Sequence, residues 1–336
     1  MMNKHLRLLS FAFLAIVFCV FFAVLPPAEM AEGATRSRGE CVVEVSSRRF
    51  LYENNATTQL PMASTTKILT AIIILDECDL DEEVQIPKQA EGTEGSSVYL
   101  RAGDIYTVRD LLYGLMLRSG NDCAVTLALH HSGSVERFAE VMNAKAVSLG
   151  AENSHFTNPH GLPDENHYTT ARDLALISAY AMENDTFREI VSCKFYEPHG
   201  WQNKNKMLFE YEGAIGVKTG YTIRAGRCLV TCAERKGMRI VCVVLDSPEM
   251  YERTAELLDN AFAKYDLVQL CDKSQPYEGY RILENFSYPL TDSEKDKITV
   301  QLISVLPFPV EAGQFAGQML IYLENNLIFS QNLYIM

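Results

Sequence analysis

Several functional signatures are absent from this 336-residue sequence, and each absence excludes a class of protein. No Gly-x-Ser-x-Gly occurs, which argues against a hydrolase built on that nucleophile turn with a Ser-His-Asp triad. No His-Glu-x-x-His occurs either, which argues against a zinc peptidase and favours structural roles for His155, His160 and His167. The sequence also has no internal repeat or low-complexity tract, so collagenous and disordered classes are excluded.

Positive charge is scarce as well. The 30 Lys and Arg residues face 43 Asp and Glu residues, which gives a net charge of −13. This balance argues against binding to nucleic acid and against purely electrostatic attachment to anionic lipid. The hydrophobic content of 48% is enough for one large core and a smaller domain.

The N-terminus has the pattern of a targeting segment. Basic residues at positions 4–7 precede an uncharged apolar run over residues 8–25. We predict a secretory signal over residues 1–33, with Ala34 as the new N-terminus after cleavage. The apolar run approaches spanning length, so an uncleaved membrane anchor is the alternative. In both cases the body of the protein works outside the cytoplasm.

Removal of the signal leaves an even number of cysteines. They are Cys41, Cys78, Cys123, Cys193, Cys228, Cys232, Cys242 and Cys271. An exported chain permits disulfides, but the spacing does not define a pairing. Three of them, Cys228, Cys232 and Cys242, lie in apolar strand-like stretches and are expected to act as small buried hydrophobes.

The periodicity of the apolar residues predicts an α+β fold. Helical spacing occurs over residues 64–75, 108–117, 124–129, 135–149, 171–182 and 252–265. Strands are predicted over residues 41–45, 49–52, 215–222, 228–234 and 238–245, with a strand and turn over residues 99–104. Strands at both ends with helices between them indicate an antiparallel sheet flanked by helices.

Beyond about residue 271 the pattern changes to short β segments. Strands are predicted over residues 298–306, 315–322 and 327–334, separated by turn residues. We therefore divide the mature chain into a catalytic domain over residues 34–270 and a small all-β domain over residues 275–336.

The segment Ser64-Thr65-Thr66-Lys67 places a hydroxyl and an amine three positions apart at the start of an apolar helix. On a helix these side chains lie on one face, so Lys67 can take the proton of Ser64 and make the serine nucleophilic without histidine. Alone, Ser-x-x-Lys is a weak signal, because an N-cap serine and an exposed helix lysine have the same spacing.

Two further short elements follow in the order that this chemistry requires. Ser119-Gly120-Asn121 lies in a loop between predicted helices, and Lys218-Thr219-Gly220 lies on a predicted strand. Each element is common by itself, but their order and structural contexts together match the signature of serine acyl-transfer enzymes that act on penicillin and D-alanyl peptides. The usual middle element is Ser-Asp-Asn, whereas this sequence has Ser-Gly-Asn.

On these motifs the chain resembles a low-molecular-mass penicillin-binding protein of the serine D-Ala-D-Ala carboxypeptidase family. The resemblance covers nearly the whole chain and includes the loop over residues 158–164, the strand over residues 213–222 and the tail over residues 308–317. It implies a β-lactamase/transpeptidase-like domain followed by a small all-β C-terminal domain. It also implies a stem peptide ending in D-Ala-D-Ala as substrate, β-lactams as covalent inhibitors and no metal or organic cofactor. The expected location is the cell wall or the outer face of the cytoplasmic membrane.

The resemblance assigns four catalytic residues. Ser64 is expected to attack the carbonyl between the two terminal D-alanines, and Lys67 to act as base when its amine is neutral. Burial and the nearby cation Lys218 both disfavour the charged form of that amine. Ser119 is expected to relay a proton to the leaving amine, and Asn121 to hold the peptide and Lys67. Whether Lys67 or Ser119 moves the proton at each step stays open.

The three residues of the third element and the following residue, Tyr221, are expected to bind substrate. Lys218 and Thr219 would meet the terminal carboxylate, and Gly220 would let the strand edge approach closely because it lacks a Cβ. The backbone N–H groups of Ser64 and Tyr221 would form the oxyanion hole. Arg253 is the nearest candidate for the arginine with which the family often binds the carboxylate, but it lies about one helical turn from the expected position, so we do not assign it.

Two other functions are compatible with parts of the pattern. A class A-like β-lactamase would need a Glu-x-x-Leu-Asn segment to position the deacylating water, and none is convincing between Ser119 and Lys218. A cell-wall binding or scaffold protein would keep the fold without turnover, which the complete set of catalytic residues argues against.

Overall fold

A computed structural model describes residues 37–305 and 311–336. The predicted signal over residues 1–33 lies outside the described residues. Within them, no helix combines the length and the apolar character needed to cross a bilayer.

The described residues form fifteen strands and nine α-helices. The strands are β1 (Gly39–Glu44), β2 (Phe50–Asn54), β3 (Glu83–Gln85), β4 (Ile105–Thr107), β5 (Phe195–Tyr196), β6 (Trp201–Gln202), β7 (Ala214–Thr222), β8 (Gly226–Arg235), β9 (Met238–Leu245), β10 (Asp266–Cys271), β11 (Tyr280–Arg281), β12 (Phe286–Leu290), β13 (Ile298–Ser304), β14 (Phe315–Leu323) and β15 (Asn326–Ile335). The helices are α1 (Lys67–Glu77), α2 (Val108–Leu117), α3 (Asn121–Ser132), α4 (Val135–Ser148), α5 (Ala171–Ala181), α6 (Asp185–Ser192), α7 (Met207–Glu210), α8 (Met250–Lys264) and α9 (Asp292–Lys295).

The main sheet is antiparallel, has the order β2-β1-β9-β8-β7 and is covered on both faces. Alternate residues of its strands enter two cores because successive side chains of a strand point to opposite faces. Val43, Val241 and Val243 pack with α1 and α5, whereas Val42 and Val244 pack against α8. The predicted α+β fold with an antiparallel sheet flanked by helices is confirmed.

Helix α1 is the central element of the larger core. Residues 67–74 are all buried, in keeping with a segment that is apolar on nearly every face. A short 3-10 turn, Ala63–Thr66, precedes it, so the helical region begins one residue before the predicted start at Ser64. The alternative of an exposed helix lysine is wrong, because Lys67 is fully buried.

Local capping explains why several predicted helices begin where they do. Thr107 and Asp110 form a reciprocal capping box at the start of α2, and Thr170 caps α5. Gly150, at φ +78°, follows α4 in the left-handed conformation that ends many helices.

The strand predicted at the start of residues 99–104 is wrong. The backbone N–H groups of Val98 and Leu100 donate to the carboxylate of Asp122 rather than to a neighbouring strand. Local β propensity is overridden here by a buried anion from α3. Only the turn around Gly103 is present.

The last part of the chain forms the expected C-terminal all-β domain, with α9 as its one short helix in the described residues. Strands β13, β14, β15 and β11 form one sheet, and β10 pairs with β12. Met319, Ile321 and Leu333 form a small separate core, and Phe286 stacks on Phe329 at 4.1 Å between ring centroids. The three predicted strands correspond to β13, β14 and β15.

All eight cysteines of the described residues are free thiols. As expected from the apolar stretches, Cys228, Cys232 and Cys242 are completely buried in β8 and β9. Burial raises the pKa of all three thiols, which keeps them protonated and inert.

Candidate active site

The 3-10 turn before α1 presents Ser64 and Lys67 to each other. Ala63 has φ +49°, a left-handed conformation that is rare outside glycine, and its neighbours hold it there. Thr65 Oγ1 donates to the carbonyl of Met62 at 2.7 Å, and Thr66 Oγ1 donates to the carbonyl of Ala63 at 2.9 Å. The turn brings Ser64 Oγ to 3.1 Å from Lys67 Nζ.

Lys67 is held by three oxygen atoms and by no carboxylate among the described residues. Its Nζ lies 2.6 Å from Asn121 Oδ1 and 2.6 Å from the carbonyl oxygen of His160, in addition to Ser64 Oγ. The amide and carbonyl oxygens can only accept, so they take two N–H bonds of the amine. In the neutral form the remaining lone pair then faces Ser64.

The electrostatic environment favours that neutral form. Burial lowers the pKa of Lys67 well below its usual value, and the nearby charge of Lys218 lowers it further. These are the two causes expected from the sequence. The carboxylate of Asp122 raises the pKa of Lys67, but its effect is smaller than that of burial or of Lys218.

The Ser119-Gly120-Asn121 element joins α2 to α3. Asn121 is oriented from both sides: its Nδ2 donates to the carbonyl of Glu94 at 2.6 Å, which leaves Oδ1 for Lys67. Its backbone N–H donates to the carbonyl of Ser96 at 2.7 Å. Ser119 is buried beside Asn121 with φ +64°. Among the described residues its hydroxyl forms no hydrogen bond to Ser64 or Lys67, so the direct contacts join Ser64, Lys67 and Asn121.

The Lys218-Thr219-Gly220 element lies on β7, the edge strand next to the 3-10 turn. A Cβ at Gly220 would lie 3.0 Å from the carbonyl oxygen of Met62 and 3.1 Å from the backbone nitrogen of Ser64. A Cβ would push these backbone atoms apart, so glycine lets the strand lie this close to the nucleophile. Thr219 is half-buried, and the side chain of the next residue, Tyr221, is exposed.

Lys218 is a second buried lysine beside the first. Its Nζ donates to the carbonyl of Thr219 at 3.0 Å. Burial lowers the pKa of Lys218 to about 7, and the charge of Lys204 contributes. Because no carboxylate bonds Lys218 among the described residues, an incoming anion would supply its missing counter-charge.

Sequence reasoning missed two groups that contact or influence this site. Lys204 is exposed, and its charge lowers the pKa of both Lys67 and Lys218. The backbone carbonyl of His160 is the other, and a main-chain ligand leaves no side-chain signal. The polar segment Asn203-Lys204-Asn205 has the composition of an ordinary surface loop. The local sequence therefore did not predict that it lies beside the site.

Arg253 has a structural role beside the main sheet. Its Nε and Nη2 atoms donate to the two carboxylate oxygens of the buried Glu40 at 2.8 and 2.9 Å, and Nη1 donates to Glu256. The guanidinium also lies near the ring of Tyr52. These contacts occupy the donors that a substrate carboxylate would need.

Comparison with known proteins identifies the family of the chain. A model of the D-alanyl-D-alanine carboxypeptidase family matches residues 27–249. The chain is similar to the D-alanyl-D-alanine carboxypeptidase DacF of Bacillus subtilis, with 33% identity over 292 residues, covering 80% of this chain and 74% of that protein. It is similar to DacB2 of Mycobacterium tuberculosis, with 38% identity over 236 residues, covering 66% of this chain and 81% of the other.

A solved structure extends the similarity to the C-terminal strands. The structure of penicillin binding protein 5 from Haemophilus influenzae superposes with a TM-score of 0.74 and 26% identity, covering 93% of this chain and 98% of the other. The predicted β-lactamase/transpeptidase-like fold with a C-terminal β domain agrees with this neighbour. The chain therefore belongs to the D-alanyl-D-alanine carboxypeptidase family, and it is a serine peptidase.

Proposed function

We propose that this protein removes the terminal D-alanine from peptidoglycan stem pentapeptides through an acyl-enzyme on Ser64. The observation that carries the proposal is the environment of Lys67. Two acceptor-only oxygens hold its amine at 2.6 Å, and Ser64 Oγ lies at 3.1 Å, while burial and a second lysine disfavour its charge. A serine without a histidine partner needs such a neutral amine to become a nucleophile at neutral pH.

In the acylation step, Ser64 Oγ forms a bond to the carbonyl carbon of the penultimate D-alanine, and its proton passes to Lys67 Nζ. The C–N bond to the terminal D-alanine then breaks. The leaving amine takes a proton from the Ser119 hydroxyl, which is replenished from Lys67. In the second step water attacks the ester carbonyl and gives a proton to Lys67. Lys67 passes that proton to Ser64 Oγ as the ester C–O bond breaks, which restores the free serine and the neutral amine.

Substrate binding is assigned to Lys218 and Thr219, with a contribution from the charge of Lys204. The terminal carboxylate meets Lys218 and Thr219 and restores the charged form of Lys218, and Lys204 adds to the positive field. The backbone N–H groups of Ser64 and Tyr221 receive the developing oxyanion. The close approach of Gly220 to the Ser64 nitrogen supports this pairing.

The same serine is proposed to be acylated by β-lactams, whose strained amide replaces the D-Ala-D-Ala bond. Residues 1–33 are proposed to export the protein, as a cleaved signal or as a retained membrane anchor. The substrate then lies in the cell wall, outside the cytoplasm.

The discriminating experiment compares the purified protein with its Ser64→Ala variant on two substrates. A diacetyl-Lys-D-Ala-D-Ala peptide should release D-Ala, and labelled penicillin should form a stable adduct, with both lost in Ser64→Ala. Ser148→Ala, at an exposed serine at the end of α4, serves as the matched control and should keep both activities. Rapid penicillin hydrolysis would indicate a β-lactamase instead, and labelling without D-Ala release a scaffold. Absence of both activities in the unmodified protein would refute the proposal.

A further inference from the structure

A buried chain of hydrogen bonds leads from the loop after α4 to the turn that carries Ser64. The backbone N–H of Thr157 donates to His167 Nδ1 at 3.0 Å. His167 Nε2 lies 2.8 Å from Thr66 Oγ1, which donates to the carbonyl of Ala63 at 2.9 Å. His167 and Thr66 are 3% and 1% exposed, so water does not compete for these contacts.

The chemistry of the four groups allows only one assignment of donors and acceptors in this series of hydrogen bonds. A backbone N–H can only donate and a carbonyl oxygen can only accept. His167 Nδ1 is therefore the acceptor, Nε2 carries the proton and donates it to Thr66, and the Thr66 hydroxyl donates to Ala63. This requires a neutral imidazole. Burial lowers the pKa of His167 to about 4, in agreement with that requirement.

The last acceptor in this series of hydrogen bonds is the carbonyl of the Ala63–Ser64 peptide group, whose N–H belongs to the nucleophile. In a trans peptide the C=O and N–H bonds are coplanar and point in opposite directions, so fixing the Ala63 carbonyl fixes the direction of the Ser64 N–H. Gly161 closes the other side of this carbonyl, because a Cβ there would overlap the Ala63 oxygen. The Ser64 N–H is the proposed oxyanion donor.

From this geometry we propose that His167 and Thr66 are positioning residues for the oxyanion hole: their hydrogen bonds hold the Ala63–Ser64 peptide plane so that the Ser64 N–H points at the reacting carbonyl. The inference rests on the proposed acyl-enzyme at Ser64. It assigns a function to Thr66, inside the Ser-x-x-Lys segment, and to His167, about 100 positions away.

The first test removes the hydroxyl of Thr66 while keeping its shape. Thr66→Val should lower the acylation rate constant for labelled penicillin and kcat for the D-Ala-D-Ala peptide by about 10- to 100-fold, with KM changed less than about threefold. Thr66→Ser keeps the hydroxyl and should recover most of the rate. Thr70→Val is the matched control, since Thr70 Oγ1 is also buried on α1 and donates to the carbonyl of Pro159 at 2.7 Å. It should lose comparable stability while keeping kcat.

A second pair of variants distinguishes the roles of the two nitrogen atoms of His167. An Asn side chain can replace Nδ1 as the acceptor for Thr157, and a Gln side chain can replace Nε2 as the donor to Thr66. His167→Gln should therefore acylate faster than His167→Asn. If Thr66→Val does not fold, this comparison decides the question.

Each outcome supports or overturns the inference. Slow acylation in Thr66→Val with normal rates in Thr66→Ser and Thr70→Val supports it. A rate for folded Thr66→Val close to that of the unmodified protein, or an equal loss in Thr66→Val and Thr70→Val, overturns it. So does an equal rate for the two His167 variants. Failure of the unmodified protein to acylate would instead refute the proposed function, so the two failures are distinguishable.

Discussion

At the scale of single residues, the site depends on two buried lysines that have no carboxylate partner among the described residues. Lys67 and Lys218 are 0% and 2% exposed, and the charge of Lys218 makes the charged form of Lys67 less favourable. In the proposed complex the substrate carboxylate would supply the missing negative charge. We therefore expect binding and base formation to be coupled, because the anion that meets Lys218 would arrive together with the carbonyl that Ser64 is proposed to attack.

The pH dependence of kcat/KM tests this pair of lysines. The value should rise as Lys67 loses its proton, at a pH well below that of free lysine, because its pKa is lowered. It should fall as the pH passes about 7, where Lys218 loses the charge that binds the carboxylate. Lys218→Arg should abolish the falling limb, since arginine stays protonated.

The exposed Lys236→Arg exchange is the control for that profile and should leave both limbs in place. D-Ala release between about pH 5 and 10 measures the profile. An unchanged alkaline limb in Lys218→Arg would show that another group binds the substrate carboxylate.

At the scale of elements, hydrogen bonds between the start of α3 and the segment over residues 94–100 hold the site in place; we call this set of bonds the clasp. The buried Asp122 carboxylate accepts from the Ser97 hydroxyl and from the backbone N–H groups of Val98, Leu100 and Cys123. The same segment supplies the carbonyls that orient Asn121. One acidic side chain therefore positions the amide that holds Lys67.

Asp122→Asn should weaken this clasp. The amide keeps one acceptor oxygen but places an N–H₂ group among donors, so the free energy of unfolding should fall by about 2 to 4 kcal/mol. Hydrogen exchange at Val98 and Leu100 should accelerate, and kcat should fall with it. The exposed Asp81→Asn exchange, which removes only a surface ion pair, should change neither. Unaltered exchange at both amides would contradict the clasp.

Elements with strong periodicity were predictable from the sequence, and long-range partners were not. Helices α2 and α8 and strands β8 and β9 were visible because each has a regular apolar pattern. Strand β10 depends on its pairing with β12, and the hydrogen bonds of residues 98–100 depend on Asp122. Helix α6 was not predicted, although Asn184 caps it and its buried residues Phe187, Ile190 and Val191 have helical spacing. Thr66 and His167 are 101 positions apart, and no local spacing connects them. The three motifs could be recognised because their order along the chain carries information that no single motif has.

At the scale of the whole molecule, Arg49 joins the main sheet to the C-terminal strands. Its guanidinium donates to the carbonyl of Pro289 and to the carboxylate of Glu294. It also lies 5.2 Å and 5.0 Å from the ring centroids of Tyr265 and Tyr288. All but the last residue of strand β10 lie in the predicted catalytic segment, and the strand pairs with β12 in the predicted β domain. The boundary between residues 270 and 275 stays a prediction.

Arg49→Ala should loosen this junction without affecting the chemistry. The variant leaves Glu294 and the Pro289 carbonyl without their donor and should lower the free energy of unfolding by about 2 to 4 kcal/mol. Hydrogen exchange in β12 should accelerate, while kcat on a short peptide stays unchanged. Arg109→Ala, which removes an exposed ion pair with Asp81, should cost less than about 1 kcal/mol. Equal losses for the two variants, measured by urea unfolding, would contradict a role for Arg49 at the junction.

The measurement that tests the central claim most directly is the location of the penicillin adduct by mass spectrometry of the digested protein. The account predicts one modified peptide, which contains Ser64, and no adduct in Ser64→Ala. It also predicts that Lys67→Ala slows formation of the same adduct by about 10³-fold or more, because the base is removed. An adduct on any other residue, or one that persists in Ser64→Ala, would contradict the account.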